Sequence, residues 1–378
     1  MIESRNLSMQ SMSTFSIPKI HDKFAINQQL ADNELLKRIA YNFVKEGEVY
    51  EQEAGSFLLD WLNDKDYILV NTSGSTGTPK RIKVYKQHMI NSAKATGKFF
   101  KVEESTTALL CLSAGYIAGK MMLVRAMVLG WKIDMVPPRT NPLDTLYKQY
   151  DFCAMVPLQL DNSLNRLHLI KKLIVGGGNV SENLKELVQG IKTKVFETYG
   201  MTETVTHIAA RRVNPKKKDK KDAKYFKALP NITLSTDDRD CLVIKAPQLN
   251  DETIVTNDIV TLKTYKKFIW KGRYDNVINS GGIKLYPEEI ETKLQQLIGQ
   301  RFFIAGIADD ALGQKVVLIV ERDYDKIAYL TLKEALHSLK SMSKYEIPKD
   351  IFFISQFIET ETGKIQRNKT LELVLSDI

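Results

Sequence analysis

Paired cysteines, clustered histidines and long apolar runs are all missing from this sequence, and each absence removes a class of protein. The three cysteines, Cys111, Cys153 and Cys241, stand far apart in apolar segments. They read as core residues of a chain kept in a reduced compartment, not as a disulfide framework. Five histidines, His21, His88, His168, His207 and His337, are equally scattered, which removes any local zinc signature. No apolar run approaches the roughly 18 to 20 residues of a membrane span, and the polar start Met1-Ile-Glu-Ser-Arg-Asn6 lacks a signal-peptide core. A cytoplasmic enzyme without membrane insertion is expected.

What is present is ordinary for a globular chain: 378 residues, 43% hydrophobic and 26% charged. The net charge of +9 favours anionic partners, yet ATP and CoA are anions as much as nucleic acid is. Much of the excess lies at 211–227, where nine Lys/Arg face only Asp219 and Asp222. A nucleic-acid arm would carry more interleaved aromatics than Tyr225 and Phe226, so a solvated loop is expected and no nucleic-acid partner.

Periodicity outlines the fold. Leu35, Leu36, Ile39, Ala40, Phe43 and Val44, then Phe57, Leu58, Trp61 and Leu62, recur every three or four positions and predict two amphipathic helices. Strands at 67–70 and 82–84, a helix over Lys86–Phe100 and a buried strand at 107–112 follow. The helix at 120–129 is apolar on most sides, and its Lys120 and Arg125 lie about 140° apart around the axis, so they do not share a face. Strands at 132–136, 152–155, 172–175 and 195–196, with helices near 143–150 and 181–189, complete a parallel α/β pattern. Ser181 reads as an N-cap, with Glu182 in the first turn. Short alternating segments from 232 to 263 predict a β-rich subdomain, and the pattern beyond Asp275 predicts a separate α+β module. The expected division is a large α/β domain at 1–274 and a small mobile domain at 275–378.

Two segments carry chemistry. Thr72-Ser-Gly-Ser-Thr-Gly-Thr-Pro-Lys80 follows a predicted strand, where backbone N–H groups and hydroxyls hold phosphate. Gly74 and Gly77 are three apart and Arg81 follows Lys80, so this is not a Walker loop. Glu197-Thr-Tyr-Gly-Met-Thr-Glu-Thr204 follows the strand at 195–196, at the strand end where open α/β sheets bind ligands. Its tyrosine can stack on a base, and its Glu203 offers a hard oxygen to Mg²⁺.

These segments, together with Thr256-Asn-Asp258, Gly272-Arg-Tyr-Asp275, Gly281-Gly282 and Thr362-Gly-Lys-Ile365, resemble in order and character the motifs of the acyl-adenylate-forming superfamily. The likeness runs from about residue 67 to the C-terminus. It implies ATP, Mg²⁺ and coenzyme A as reactants, with a carboxylate adenylated first and then passed to the CoA thiol. Carried over by position, Thr72, Ser73, Gly74, Ser75, Thr76, Gly77 and Lys80 hold phosphates. Thr202 contacts the α-phosphate, Glu203 binds Mg²⁺, and Tyr199 and Gly177 border adenine. Asp258 takes the ribose hydroxyls with Arg273 assisting, and Lys364 reaches the forming adenylate. Asp275 is the implied hinge, and Gly281 and Gly282 the implied CoA tunnel. Two departures stand out: the region before the loop is short for the family, and Asn257 replaces the glycine of the usual Thr-Gly-Asp. The first bears on the acyl pocket and on any homodimer surface.

Within the superfamily the segments around Leu173 to Gly178 and Phe196 to Thr204 most resemble the o-succinylbenzoate–CoA ligase group of menaquinone biosynthesis. Tyr116 and Ser113 depart from that group's histidine and proline. The implied acyl pocket takes in Tyr116, Lys120, Gly178 and His207. A second substrate carboxylate would want a cation such as Lys120 or Arg125, unless both merely snorkel from the helix. CoA ligases for other aryl or short acids fit the same motifs, as does a catalytically silent AMP-binding module, although Glu203, Asp258, Arg273 and Lys364 are all kept. On this reading Lys364→Ala abolishes adenylate formation but spares thioester formation from supplied acyl-adenylate; equal loss in both half-reactions would contradict it.

Overall fold

The computed structural model describes residues 16–71, 81–339, 342–360 and 365–376. The loop at 72–80 and Lys364 lie outside the described residues.

The chain begins with a short hairpin, β1 (Ala25–Ile26) and β2 (Gln29–Leu30). Helix α1 (Asn33–Glu46) follows, its first turn fixed by Asp32, whose carboxylate accepts from the Leu35 N–H at 2.9 Å. Helix α2 (Val49–Trp61) buries Phe57, Leu58 and Trp61, the apolar stripe predicted by spacing. Strands β3 (Tyr67–Asn71) and β4 (Arg81–Tyr85) pair only with each other, antiparallel, and flank the 72–80 loop. After α3 (Lys86–Phe100) come β5 (Thr107–Leu110), α4 (Ile117–Leu129), β6 (Lys132–Met135) and β7 (Tyr150–Met155). Then α5 (Pro157–Asn162), β8 (Ile170–Val175), α6 (Glu182–Leu187) and β9 (Lys194–Gly200) complete the parallel ladder β6-β5-β7-β8-β9. Ser181 caps α6 as expected, accepting from Leu184 N–H at 3.1 Å.

The ladder is apolar on both faces because both are covered. On β5, Ala108 and Leu110 enter the core with α3 and α4, whereas Leu109, and Cys111 just past the strand, enter a second core on the opposite face. Strands β7 and β8 repeat the alternation, with Phe152, Ala154 and Ile174 on one side and Cys153, Met155, Leu173 and Val175 on the other.

The sheet does not stop there. Strands β10 (His207–Arg212) and β11 (Phe226–Ala228), with helix α7 (Lys220–Ala223) between them, lead to β12 (Thr233–Thr236), β13 (Cys241–Lys245), β14 (Ile254–Thr264) and β15 (Lys267–Arg273). All continue the parallel ladder in antiparallel pairing, and with the β1–β2 hairpin joined beside β6 at the other edge the sheet has thirteen strands among the described residues. The β-rich segments therefore extend the main sheet.

A second sheet holds β16 (Ile278–Ser280), β17 (Ile283–Leu285), β18 (Phe302–Asp309), β19 (Gly313–Glu321) and β20 (Asp350–Ile354), with α8 (Pro287–Leu294), α9 (Lys326–Ser338) and α10 (Arg367–Ser376) against it. Its cores split by the same alternation: Val316, Leu318 and Val320 on one face, Val317 and Ile319 on the other.

Two expectations fail. Residues 143–150 form turns, not a helix. The Asn141 side chain accepts from the Leu143 N–H at 3.3 Å, a local bond that competes with helix, and Tyr150 is drawn into β7 with its hydroxyl donating to Asp134 at 3.0 Å. The basic stretch at 211–227 is not simply a solvated loop. Arg211 lies 4.5 Å from the Phe226 ring, and Asp222 ties Lys227 and Lys267 together, while Lys216, Lys217, Lys218, Lys220, Lys221 and Lys224 face solvent.

Inside α4, Gly119 has a steric reason: a Cβ there would stand 2.1 Å from the Ser113 carbonyl oxygen. Replacing an exposed helical glycine by alanine gains about 1 kcal/mol, but here overpacking of about 1–3 kcal/mol opposes it. Gly119→Ala is expected to lower the urea unfolding midpoint; a higher midpoint would show that the segment yields.

Candidate active site

The strands β5, β7, β8 and β9 all end on one edge of the sheet, and the segments leaving β5, β8 and β9 carry Tyr116, Gly177 and Gly178, and Thr202 and Glu203. After β8 the three glycines have separate reasons. A Cβ on Gly176 would meet the Thr198 hydroxyl at 2.6 Å, Gly177 sits at φ 81°, and Gly178 faces Pro157.

The motif residues 197–200 are the end of β9 itself, not a segment beyond it. Glu197 is buried, and its Oε2 accepts from Nε of Arg211, its cross-strand neighbour, at 2.7 Å, with a second guanidinium nitrogen also 2.7 Å from the same oxygen. The Tyr199 ring packs edge-on against Phe268 and near Phe226, and its hydroxyl donates to Asp258 at 2.6 Å. Burial, then the Asp258 charge, pushes the phenol well above its usual range, so Tyr199 is a neutral donor.

Past Gly200, Thr202–Thr204 form a 3-10 turn, and Val205 is held at φ 67°, ψ −54°, strained for a β-branched residue. The buried Thr204 hydroxyl holds this turn: it lies 2.9 Å from the Met201 carbonyl and 2.7 Å from the Thr206 carbonyl, and accepts from Met201 N–H at 3.0 Å. That strain presents Thr202 half-buried and Glu203 exposed. A single exposed carboxylate suits Mg²⁺, which keeps several waters and takes one or two carboxylates with phosphates. No group of three His, Cys, Asp or Glu converges among the described residues.

Asp258, on β14, is buried and bonded twice, by Tyr199 and by the Trp270 indole N–H at 3.1 Å. Arg273 stands opposite it in the ladder, 3.8 Å from the carboxylate. A carboxylate has about four acceptor positions, so two stay open to hydroxyl donors. The adjacent Asn257 points the other way and donates to Asp275 at 3.3 Å, in the 3-10 turn Tyr274–Asn276, and Arg273 also reaches Asp275. Gly281 and Gly282 make the exposed β16–β17 turn at φ 57° and 80°, a conformation that by itself calls for glycine.

Lys120 and Arg125 diverge as their spacing predicts. The Lys120 ammonium donates to the Ala114 carbonyl and, at 2.8 Å, to that of Gly115. Arg125 is fully buried against α3 and β10, where its guanidinium makes long bonds to Thr96, Thr206 and His207 at 3.3 to 3.5 Å. Among the described residues no carboxylate pairs with it, and burial pushes its pKa down to about 9, so it stays charged at pH 7. His207 opens β10 and is neither helical nor exposed. Arg125 can only donate, so His207 Nδ1 is the acceptor and Nε2 carries the proton, 3.4 Å from Thr96 Oγ1. Lys120 is not brought beside His207; Tyr116, the exposed N-cap of α4, ends the loop that Lys120 holds.

Sequence reasoning missed Thr204, Trp270 and the Arg211 partner of Glu197. Thr204 and Trp270 lie within or next to motifs but were not distinguishable from structural neighbours, and Arg211 was counted as solvated charge.

A sheet whose carboxyl edge carries a glycine turn, a tyrosine–aspartate pair and a strained Thr-Glu turn is that of a nucleotide-binding enzyme. The profile of the AMP-binding enzyme family matches residues 20–242, more than half of the chain, and the chain belongs to that family. The 2-succinylbenzoate–CoA ligase of Staphylococcus epidermidis strain ATCC 12228 is 26% identical over 327 residues, 79% of this chain and 68% of the relative. A solved acyl-CoA synthetase (AMP-forming)/AMP-acid ligase II-like protein from Dyadobacter fermentans is 36% identical, covering 89% of this chain and 98% of that one with a TM-score of 0.59. The O-succinylbenzoate coenzyme A synthetase of Bacillus subtilis, solved with ATP and magnesium, shares the fold at 19% identity, covering 92% and 84% of the two chains with a TM-score of 0.67.

His207 yields a pH prediction. Burial, then the Arg125 charge, holds its pKa well below the usual histidine range. The unfolded chain therefore binds a proton below about pH 6.5 that the folded chain refuses, and stability falls as pH drops, by about 1.4 kcal/mol per unit at most. Urea unfolding between pH 7 and pH 5 should show this loss in the wild type and a shallower slope in His207→Gln; identical slopes would refute the assignment.

Proposed function

We propose that the protein is an ATP-dependent acid–CoA ligase, and that its acid is o-succinylbenzoate. The carboxylate oxygen attacks the α-phosphorus of ATP and the bond to pyrophosphate breaks, giving an acyl-adenylate. The CoA sulfur, having lost its proton, then attacks the acyl carbonyl, and the bond to AMP breaks. The observation that carries the reading is the hydrogen bond of half-buried Tyr199 to buried Asp258 beside Arg273: a desolvated carboxylate with two acceptor positions left suits a ribose diol at the sheet edge.

For the remaining residues we propose the roles that the superfamily resemblance implies. Gly177 and Tyr199 border the base, Thr202 faces the α-phosphate, and the hydroxyls and glycines of 72–77 with Lys80 take the other phosphates. Mg²⁺, bound through Glu203, would supply charge neutralisation at the phosphates. Lys364 adds a cation for the adenylation step. Asp275 acts as the hinge between a large domain at 1–274 and a small one at 275–378, and Gly281 and Gly282 line the thiol path. For the acid, Tyr116, Gly178 and His207 surround the acyl group. Arg125, buried without a carboxylate partner among the described residues, supports a substrate with a second carboxylate, because an uncompensated buried charge is costly until an anion arrives.

Pyrophosphate release from the full chain with ATP, Mg²⁺ and CoA should depend on o-succinylbenzoate and exceed that with benzoate or a fatty acid. Arg125→Met should lower kcat/KM for the dicarboxylate by about tenfold or more while changing monocarboxylates little. Turnover of benzoate but not o-succinylbenzoate would overturn the substrate assignment.

A further inference from the structure

The segment between β5 and α4 has no proline and three small residues, Ser113, Ala114 and Gly115, yet side chains from two helices hold it. From α2, the Glu53 carboxylate accepts from the Ser113 hydroxyl, whose oxygen in turn accepts from Gly115 N–H at 3.0 Å. From the first turn of α4, Lys120 reaches back over the Phe57 ring, 5.8 Å from its centroid, and donates to the carbonyls of Ala114 and Gly115.

A helical side chain leans toward its own N-terminus, so a lysine in the first turn is aimed at the preceding loop. That position is electrostatically poor for a cation, because the helix N-terminus is itself positive. Burial also holds the ammonium's pKa below its usual value, and two carbonyl acceptors and the nearby Glu53 charge offset part of this cost. Glycine at 119 lets the Ser113 carbonyl close onto the helix. The loop is thereby pinned through a hydroxyl and two carbonyls, and it ends at Tyr116, which is 54% exposed.

We propose that Glu53 and Lys120 are positioning residues that clamp the 113–116 loop and so set where Tyr116 stands in the acyl site, with Lys120 making no contact with the substrate's own carboxylates. The assignment rests on the ligase reading for its kinetic consequence, but the clamp itself does not. With two of its three N–H groups on loop carbonyls, the Lys120 ammonium is already engaged. A point charge held this way fixes the loop's shape; it does not select among acids.

The test compares Lys120→Met, Lys120→Arg and Glu53→Gln with the full-length wild type. Amide hydrogen exchange at Gly115 and Tyr116, which donate to Ser113, is expected to speed up by about tenfold or more in Lys120→Met and Glu53→Gln, and to recover in Lys120→Arg. In the pyrophosphate assay, Lys120→Met should raise KM about tenfold for mono- and dicarboxylic acids alike, with KM for ATP within about twofold. A loss confined to acids with a second carboxylate, with exchange unchanged, would overturn the proposal and make Lys120 a substrate ligand. Unchanged exchange and unchanged KM would also overturn it. If the wild type releases no pyrophosphate with any acid, the ligase reading fails while the exchange data still decide the clamp.

Discussion

The Tyr199 hydroxyl donates to Asp258 at 2.6 Å although β10, β11 and β15 lie between their strands in the sheet order. That bond is possible only because the antiparallel half of the sheet curls back over the end of the parallel half. Phe226 and Phe268 fill the space between, stacked at 5.3 Å, and Tyr199 packs edge-on against Phe268 at 5.1 Å. Burying Asp258 without donors would be costly. Tyr199 and Trp270 supply two, so the curl, the aromatic filling and the carboxylate are one construction. The proposed ribose position is a consequence of it.

The same reasoning runs through the rest of the site: each exposed group is held by a buried one. Glu197 and Arg211 lock the register of β9 and β10 just before the motif turn. Thr204 holds the strained Val205, and that strain turns Glu203 outward. Asn257 and Asp258, adjacent on β14, face opposite ways, one toward Asp275 and the other toward Tyr199. The proposed nucleotide site and the turn at 274–276 thus share one strand, and the side chain that links them is a departure from the glycine usual in the superfamily.

Much of the parallel ladder and its covering helices was legible in the sequence, for physical reasons that can be named. The helices at 33–46, 49–61 and 86–100 follow from three- and four-residue spacing, and the parallel strands from short apolar runs, because both faces of that ladder are buried. The failures have causes as specific. At 143–150 a side chain of Asn141 competes for the backbone, and an apolar pattern alone does not register that. In the basic stretch, Arg211 looked like surface charge because its partner Glu197 is fourteen positions away and only strand pairing brings them together. The order and residue types of the motifs were readable because they are local properties of the chain; the contacts of Trp270, Thr204 and Arg211 were not, because spacing does not encode them.

The sequence by itself determined the α/β pattern, the order of the motifs and the kinds of group placed in each, since periodicity and local turn chemistry are properties of neighbouring residues. Only the tertiary structure decided which way those groups point. Lys120 and Arg125 lie five positions apart on one helix, and spacing said just that they diverge. Packing put the first on loop carbonyls and sealed the second, charged, beside His207, because the 114–115 carbonyls lie at the start of α4 while Thr96 of α3 and His207 of β10 enclose Arg125.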